Sequence, residues 1–183
     1  MLISHEVIQQ HVREAVSLAL GLDTDELNMG VSLVNQYGAE SLDFLDIAFR
    51  LERDFDIRLP RQSMLERAID QYGADLFIVD GKLTAGGAEF IRRGLPEVKE
   101  KVSEGMGEDN LPSLLTADTW VRLVVTILEA MDNTCSECGA TELQLVENTK
   151  IGCTSCGARI YPPHGDDVAK MQLPEMKAAV FGD

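Results

Sequence analysis

The sequence predicts a mainly α chain: a helical bundle, interrupted by a mixed insertion and followed by a small β segment. Three observations carry that reading. Apolar residues recur at helical spacing in the stretches 7–20, 41–54 and 118–131. Between the second and third of these, residues 61–113 hold a hairpin signal and several breakers. Four cysteines then fall in two C-x-x-C pairs.

Bulk properties narrow the field. Hydrophobic residues make up 45% of the 183, enough for a real core and too many for a disordered chain. Lys and Arg number 16 against 31 Asp and Glu, a formal charge of −15. Binding to a nucleic-acid backbone rests on cationic phosphate contacts, so no nucleic-acid partner is expected. Aromatic residues, at 5%, offer little for base stacking. Met1 to Glu6 carry no basic cluster and no long apolar run follows, so no signal peptide is expected. The longest apolar stretch, Trp120 to Leu128, is broken by Arg122, so no membrane span is expected either. A cytoplasmic location follows as the expectation. In that reducing setting, paired cysteines point to metal rather than disulfides.

The elements follow in order. Ile8, Val12, Ala15, Val16 and Ala19 share one face of a helix from Val7 to Leu20, with Ser4 as N-cap and Gly21 as stop. A polar loop, Gly21 to Glu40, is anchored by Leu22, Leu27, Val31, Leu33 and Val34. Ser41 to Asp54 is a second helix, with Leu42, Leu45, Ala48, Phe49 and Leu51 as its buried face. The extended Ile57-Arg58-Leu59 before Pro60 ends it.

In the insertion, Met64 to Gln71 reads as a short helix ended by Gly73. Leu76 to Val79 and Lys82-Leu83 flank Asp80-Gly81, a two-residue type I′ hairpin that must pack on something to persist. Thr84 caps a helix from Ala85 to Arg93, with Gly94 at its end. Gly105 to Pro112 reads as loop. Thr116 or Asp118 then caps a helix whose face is Val121, Val124, Val125, Leu128 and Met131.

Charge is spread unevenly. Residues 1–60 hold 4 basic and 11 acidic residues, nearly half of the excess. Much of it lies on the helix headed by Ser41, at Asp43, Asp46, Glu52 and Asp54. On the local pattern Ser41 reads as an N-cap, worth about 1 kcal/mol, above a solvated acidic face. It is not in a Gly-x-Ser-x-Gly elbow, so a hydrolase has little support.

The wider pattern adds to this. Ser32-Leu33, the run Tyr37-Gly38-Ala39-Glu40-Ser41-Leu42-Asp43, and Leu51 to Pro60 resemble the acyl carrier protein family. The resemblance implies an acyl-carrier-type four-helix bundle whose last helix is Asp118 to Met131. It implies that Ser41 carries a covalent 4′-phosphopantetheine arm, attached from coenzyme A by a phosphopantetheinyl transferase. The chain would then be no enzyme but a carrier of acyl thioesters for fatty-acid, lipid or polyketide-like biosynthesis. Partner enzymes of that family are basic at their docking surfaces, so Glu40, Asp43, Asp46, Phe49, Glu52 and Asp54 are the implied contact residues. An aminoacyl or peptidyl carrier is the alternative cargo reading, and an interaction module without a working arm is the alternative of another class.

Departures from the family pattern are Glu40 in place of the usual Asp, the bulky Phe49, Arg53 within the acidic run, and the insertion itself. The insertion is either a subdomain that enlarges the core or a lid or docking surface near the cargo.

Cys135-x-x-Cys138-Gly139 and Cys153-x-x-Cys156-Gly157 are two knuckles at zinc-ribbon spacing. Four thiolates suit tetrahedral Zn²⁺ with Zn–S of about 2.3 Å, and leave no position open for a substrate. Such a zinc is structural. Iron in similar knuckles and two disulfides are the competing assignments, and a thioredoxin-type pair lacks its βαβ setting. Leu143 to Val146 and Lys150-Ile151 form a hairpin around Glu147-Asn148-Thr149. The segment 134–163 thus resembles a zinc ribbon, and the tail 164–183 is either a short docking helix or a frayed end. The expected organisation is a carrier bundle in 1–60 and 114–133, an insertion in 61–113, the ribbon, and the tail.

Overall fold

Ser4 accepts a hydrogen bond from the Val7 N–H, and Gly21 takes the left-handed conformation, so the first helix, α1, runs His5–Leu20. This computed structural model describes residues 2–182; Met1 and Asp183, at the outer ends of the bundle segment and the tail, lie outside them. Ile8, Val12, Ala15 and Val16 are buried along one face of α1, at the predicted spacing.

The segment after Gly21 is not all loop. Ser32 caps a short helix, α2 (Leu33–Tyr37), which the left-handed Gly38 ends. Five residues are too few to show a period in the sequence.

Helix α3 (Ser41–Phe55) is apolar on two sides. Ile47, Leu51 and Phe55 are buried, with Phe44 and Ala48 packed beside them. Leu42, Leu45 and Phe49 instead face outward, with 76%, 62% and 64% of their surface exposed. This corrects the expected buried face. Helix α1 packs against α3 on one side and against α6 (Ala117–Glu129) on another, and leaves the Leu42–Leu45–Phe49 stripe uncovered. Thr116 caps α6. Trp120, Val121, Val124, Ile127 and Leu128 are buried there, Val125 is only half-buried, and Met131 falls beyond the helix end. Residues of α1, α2, α3 and α6 together form one hydrophobic core, the four-helix bundle.

The insertion has its own apolar clusters. Helix α4 (Met64–Tyr72) ends at Gly73. Strands β1 (Ile78–Val79) and β2 (Lys82–Leu83) pair antiparallel, and positive φ at Asp80 (49°) and Gly81 (71°) gives the type I′ turn. Thr84 caps α5 (Ala85–Gly94). Residues 96–101 and 108–114 are 3₁₀ turns rather than open loop, each too short and too polar to have been read from spacing.

Strands β3 (Leu143–Val146), β4 (Lys150–Cys153) and β5 (Arg159–Ile160) form an antiparallel sheet in that order. The tail is a 17-residue helix, α7 (Gly165–Phe181). It does not hang free: Leu173 is buried among Ala68, Phe77 and Phe90, and Phe181 packs edge-on to Phe77. Gly165 N–H donates to the Arg58 carbonyl at 2.7 Å, so the tail also touches the exit of α3.

Candidate functional site

The polypeptide reaches Ser41 along a pinned path. Leu33 N–H donates to the Leu115 carbonyl at 2.9 Å, and Ala39 N–H to the Leu33 carbonyl at 3.1 Å. Ala39 is buried, and Gly38 reverses the backbone with φ of 70°. These contacts aim the start of α3 at solvent.

Ser41 is not the N-cap. Glu40 occupies that position, and its N–H donates to Asp43 Oδ2 at 2.8 Å. The capping work expected of the serine is done by this longer acidic pair. Ser41 is the first residue of the helix itself, exposed, and its hydroxyl makes no hydrogen bond among the described residues. The N–H groups of Ser41 and Leu42 have no acceptor among those residues, as the first turn of a helix requires. With the positive end of the helix dipole, they favour an anionic group attached at this spot. His11 touches α3 at its far end, against Phe55 and Asp54.

The acids of α3 do not form one free patch. Asp43 is turned back to the cap. Asp46 pairs with Arg50 at 3.0 Å. Asp54 pairs with Arg53 at 2.9 Å and lies 3.5 Å from His11. Glu52 is a correction: it is 9% exposed, and its carboxylate accepts from the Leu59 N–H at 2.9 Å and from Arg58 at 3.2 Å. Asp56, left-handed with φ of 53°, folds the following strand back over Glu52. Glu52 therefore holds the exit of the helix and offers no free surface charge. Phe49 stands exposed in line with Leu45 and Leu42.

A groove of about 370 Å³ lies between α1, α3 and the β3–β4 turn. Its lining holds Arg50, Arg53 and Lys150 and, in equal number, Glu14, Asp54 and Glu147, so it offers no net charge to an ionic ligand.

The second site is the cysteine cluster. The four sulfurs lie within 4.8 Å of one another. Cys135 and Cys156 are 3.7 Å apart, as are Cys138 and Cys153. A tetrahedron of thiolates around Zn²⁺ at 2.3 Å has edges of about 3.8 Å, so the donor set fits such an ion. Disulfides are absent among the described residues, since all four cysteines are free thiols. Gly139 (φ 74°) and Gly157 (φ 75°) close each knuckle, and their N–H groups donate to the carbonyls of Cys135 and Cys153 at 2.9 and 3.0 Å. The N–H groups of Cys156 and then Ser155 outweigh burial and pull the Cys153 thiol down to about 6. At Cys138 the N–H of Ala140 favours the thiolate, but the three neighbouring sulfurs win and push it up to about 12. A cation among the four would remove that conflict. His164 caps α7 by accepting from Asp166 N–H at 3.2 Å and takes no part in the cluster.

No single helix among the described residues is long and apolar enough to cross a membrane.

Residues 10–68 match the family model described as phosphopantetheine attachment site. Among similar curated proteins is an acyl carrier protein of Clostridium acetobutylicum, 33% identical over 54 residues, which cover 30% of this chain and 70% of that protein. No solved structure matches the chain.

Proposed function

The chain belongs to the acyl carrier protein family, and from that premise we propose that Ser41 carries a 4′-phosphopantetheine arm on which acyl intermediates are held as thioesters. The observation that carries this reading is the Ser41 hydroxyl itself. It is exposed, unbonded and seated on a helix N-terminus inside the matched segment. When bound, the arm supplies a terminal thiol for the cargo. The chain's own part is to hold the phosphodiester end at the unpaired N–H groups of Ser41 and Leu42 and to show α3 to its partners.

A phosphopantetheinyl transferase makes the attachment from coenzyme A and brings its own metal and base. The later partners are acyl-loading and acyl-processing enzymes with basic docking surfaces, in fatty-acid, lipid or polyketide-like biosynthesis. Glu40, Asp43, Asp46 and Asp54 steer their approach, and the Leu42–Leu45–Phe49 stripe gives them an apolar seat. Glu52 is left out of that set. The protein performs no chemistry of its own. Cys135, Cys138, Cys153 and Cys156 hold a structural Zn²⁺, in a cytoplasmic protein whose reducing surroundings keep the thiolates available to the metal.

Intact mass of the protein co-expressed with a competent transferase tests the central step. The wild type should gain one phosphopantetheine and Ser41→Ala none. A wild type that stays unmodified, or an alanine variant that gains the same mass, overturns the proposal.

A further inference from the structure

We infer that the indole N–H of Trp120 is the donor that holds a carbonyl oxygen, from the arm or from its thioester cargo, against the seam between α3 and α6. The inference rests on the Ser41 reading above. Trp120 is the single tryptophan of the chain and is 9% exposed. Its ring stacks on Phe44, with centroids 6.4 Å apart and planes at 25°. Phe44 lies three residues after Ser41, so the two share one face of α3, a turn apart. Trp120 therefore packs on the residue one turn below the attachment point.

Its Nε1 is buried and has no hydrogen-bond partner among the described residues. A buried indole N–H ordinarily finds an acceptor, and leaving it without one is costly. Two other buried polar atoms lack partners, Ser17 Oγ and Arg67 Nε. The Ser17 hydroxyl can rotate toward its own helix, and the Arg67 guanidinium is already bonded to Asp166. Trp120 has neither escape: the ring is rigid and carries one donor and no acceptor.

The surroundings select the acceptor. Phe44 stacks on the ring and the core cluster that holds Trp120 is apolar, which disfavours a charged phosphate oxygen there. A neutral carbonyl, of an amide or a thioester, fits. Both occur on a loaded carrier, and they share this chemistry.

With one tryptophan, the full-length protein gives one indole resonance in a ¹⁵N–¹H spectrum. It should move downfield on loading, as an N–H does when it gains an acceptor. A move already present with the bare arm assigns an arm amide; a move seen only with a hexanoyl thioester assigns the cargo carbonyl. Trp120→Phe keeps the apolar ring and deletes the donor. If the cargo carbonyl is held, and hydroxylamine reaches it only after release from the seam, the variant should raise the released fraction and so the rate of cleavage about fivefold, the equivalent of one neutral hydrogen bond. An indole resonance unchanged in all three forms, with intact mass proving the loading, overturns this inference and leaves the Ser41 reading standing. A chain that never gains the arm overturns both.

Discussion

Arg159 Nε donates to Asp56 Oδ2 at 2.8 Å, and so joins the cysteine segment to the end of the helix that Ser41 begins. Lys150 lies 3.9 Å from the other oxygen of Asp56. The buried Thr149 donates its hydroxyl to the Asp54 carbonyl. The last turn of α3 is thus held by side chains of a segment too small to fold on its own apolar contacts.

Removal of the metal should therefore be felt in α3. The protein as purified is expected to contain one zinc per chain, and a strong chelator to release it. Folding of the ribbon is coupled to the ion, so amides of β3, β4 and β5 should lose protection in hydrogen exchange. Those of the last turn of α3 should follow, while the core face of α1 at Ile8, Val12 and Val16 stays protected. Equal exchange at residues 52–56 with and without the ion would show that the contacts of Thr149 and Arg159 are incidental.

Glu52 gives a second test. It is the buried acceptor of the Leu59 N–H, so Glu52→Ala leaves a backbone donor unpaired and should cost about 1–3 kcal/mol in urea unfolding. Glu52→Gln keeps an acceptor at the same place and should cost less. Neither change should alter the salt dependence of partner binding, because the native carboxylate is already covered. A loss of steering in Glu52→Gln at unchanged stability would return this residue to the docking set.

The contrast between Glu52 and Ser41 shows what the sequence could and could not reveal. Caps and turns were legible because they rest on one or two residues: Ser4, Gly21, Gly73, Thr84, Asp80-Gly81 and the two cysteine knuckles behave as their chemistry dictates. Ser41 was legible as the residue of interest through the run around it. Its freedom from capping was not, because the less usual cap Glu40 and Asp43 each take the other's backbone N–H and close the helix start without the serine. Exposure along α3 depends on which neighbours arrive. A helix with two apolar stripes gives the same residue list whichever stripe is covered, and what covers the buried one, α1 with Trp120 of α6 against Phe44, comes from other parts of the chain. Burial of Glu52 likewise depends on the left-handed Asp56, a tertiary detail with no local mark. The tail helix stayed one of two readings for a different reason. Pro174 lies inside it, and its apolar residues face the insertion, whose own shape was not predictable.

The two stripes of α3 separate stability from recognition, and paired substitutions should show it. Ile47 is fully buried between the bundle helices, so Ile47→Ala removes packed methylenes and leaves a cavity, at a cost of about 2–5 kcal/mol. Phe49 is two residues further along and 64% exposed. Phe49→Ala should change stability by no more than about 0.5 kcal/mol, as a surface substitution. Its effect belongs to the encounter. If the exposed stripe seats partner enzymes, the aromatic at its C-terminal end is the type of residue that dominates such contacts. Phe49→Ala should then slow attachment of the arm, or turnover of the loaded protein by its partners, by a factor of ten or more at about 1.4 kcal/mol per tenfold. Leu45→Ala should do so more mildly. Urea midpoints with transferase kinetics on the same preparations measure both effects. A Phe49→Ala protein with native stability and native rates toward every partner would remove the stripe from the docking surface, and would leave its exposed apolar side chains without a role.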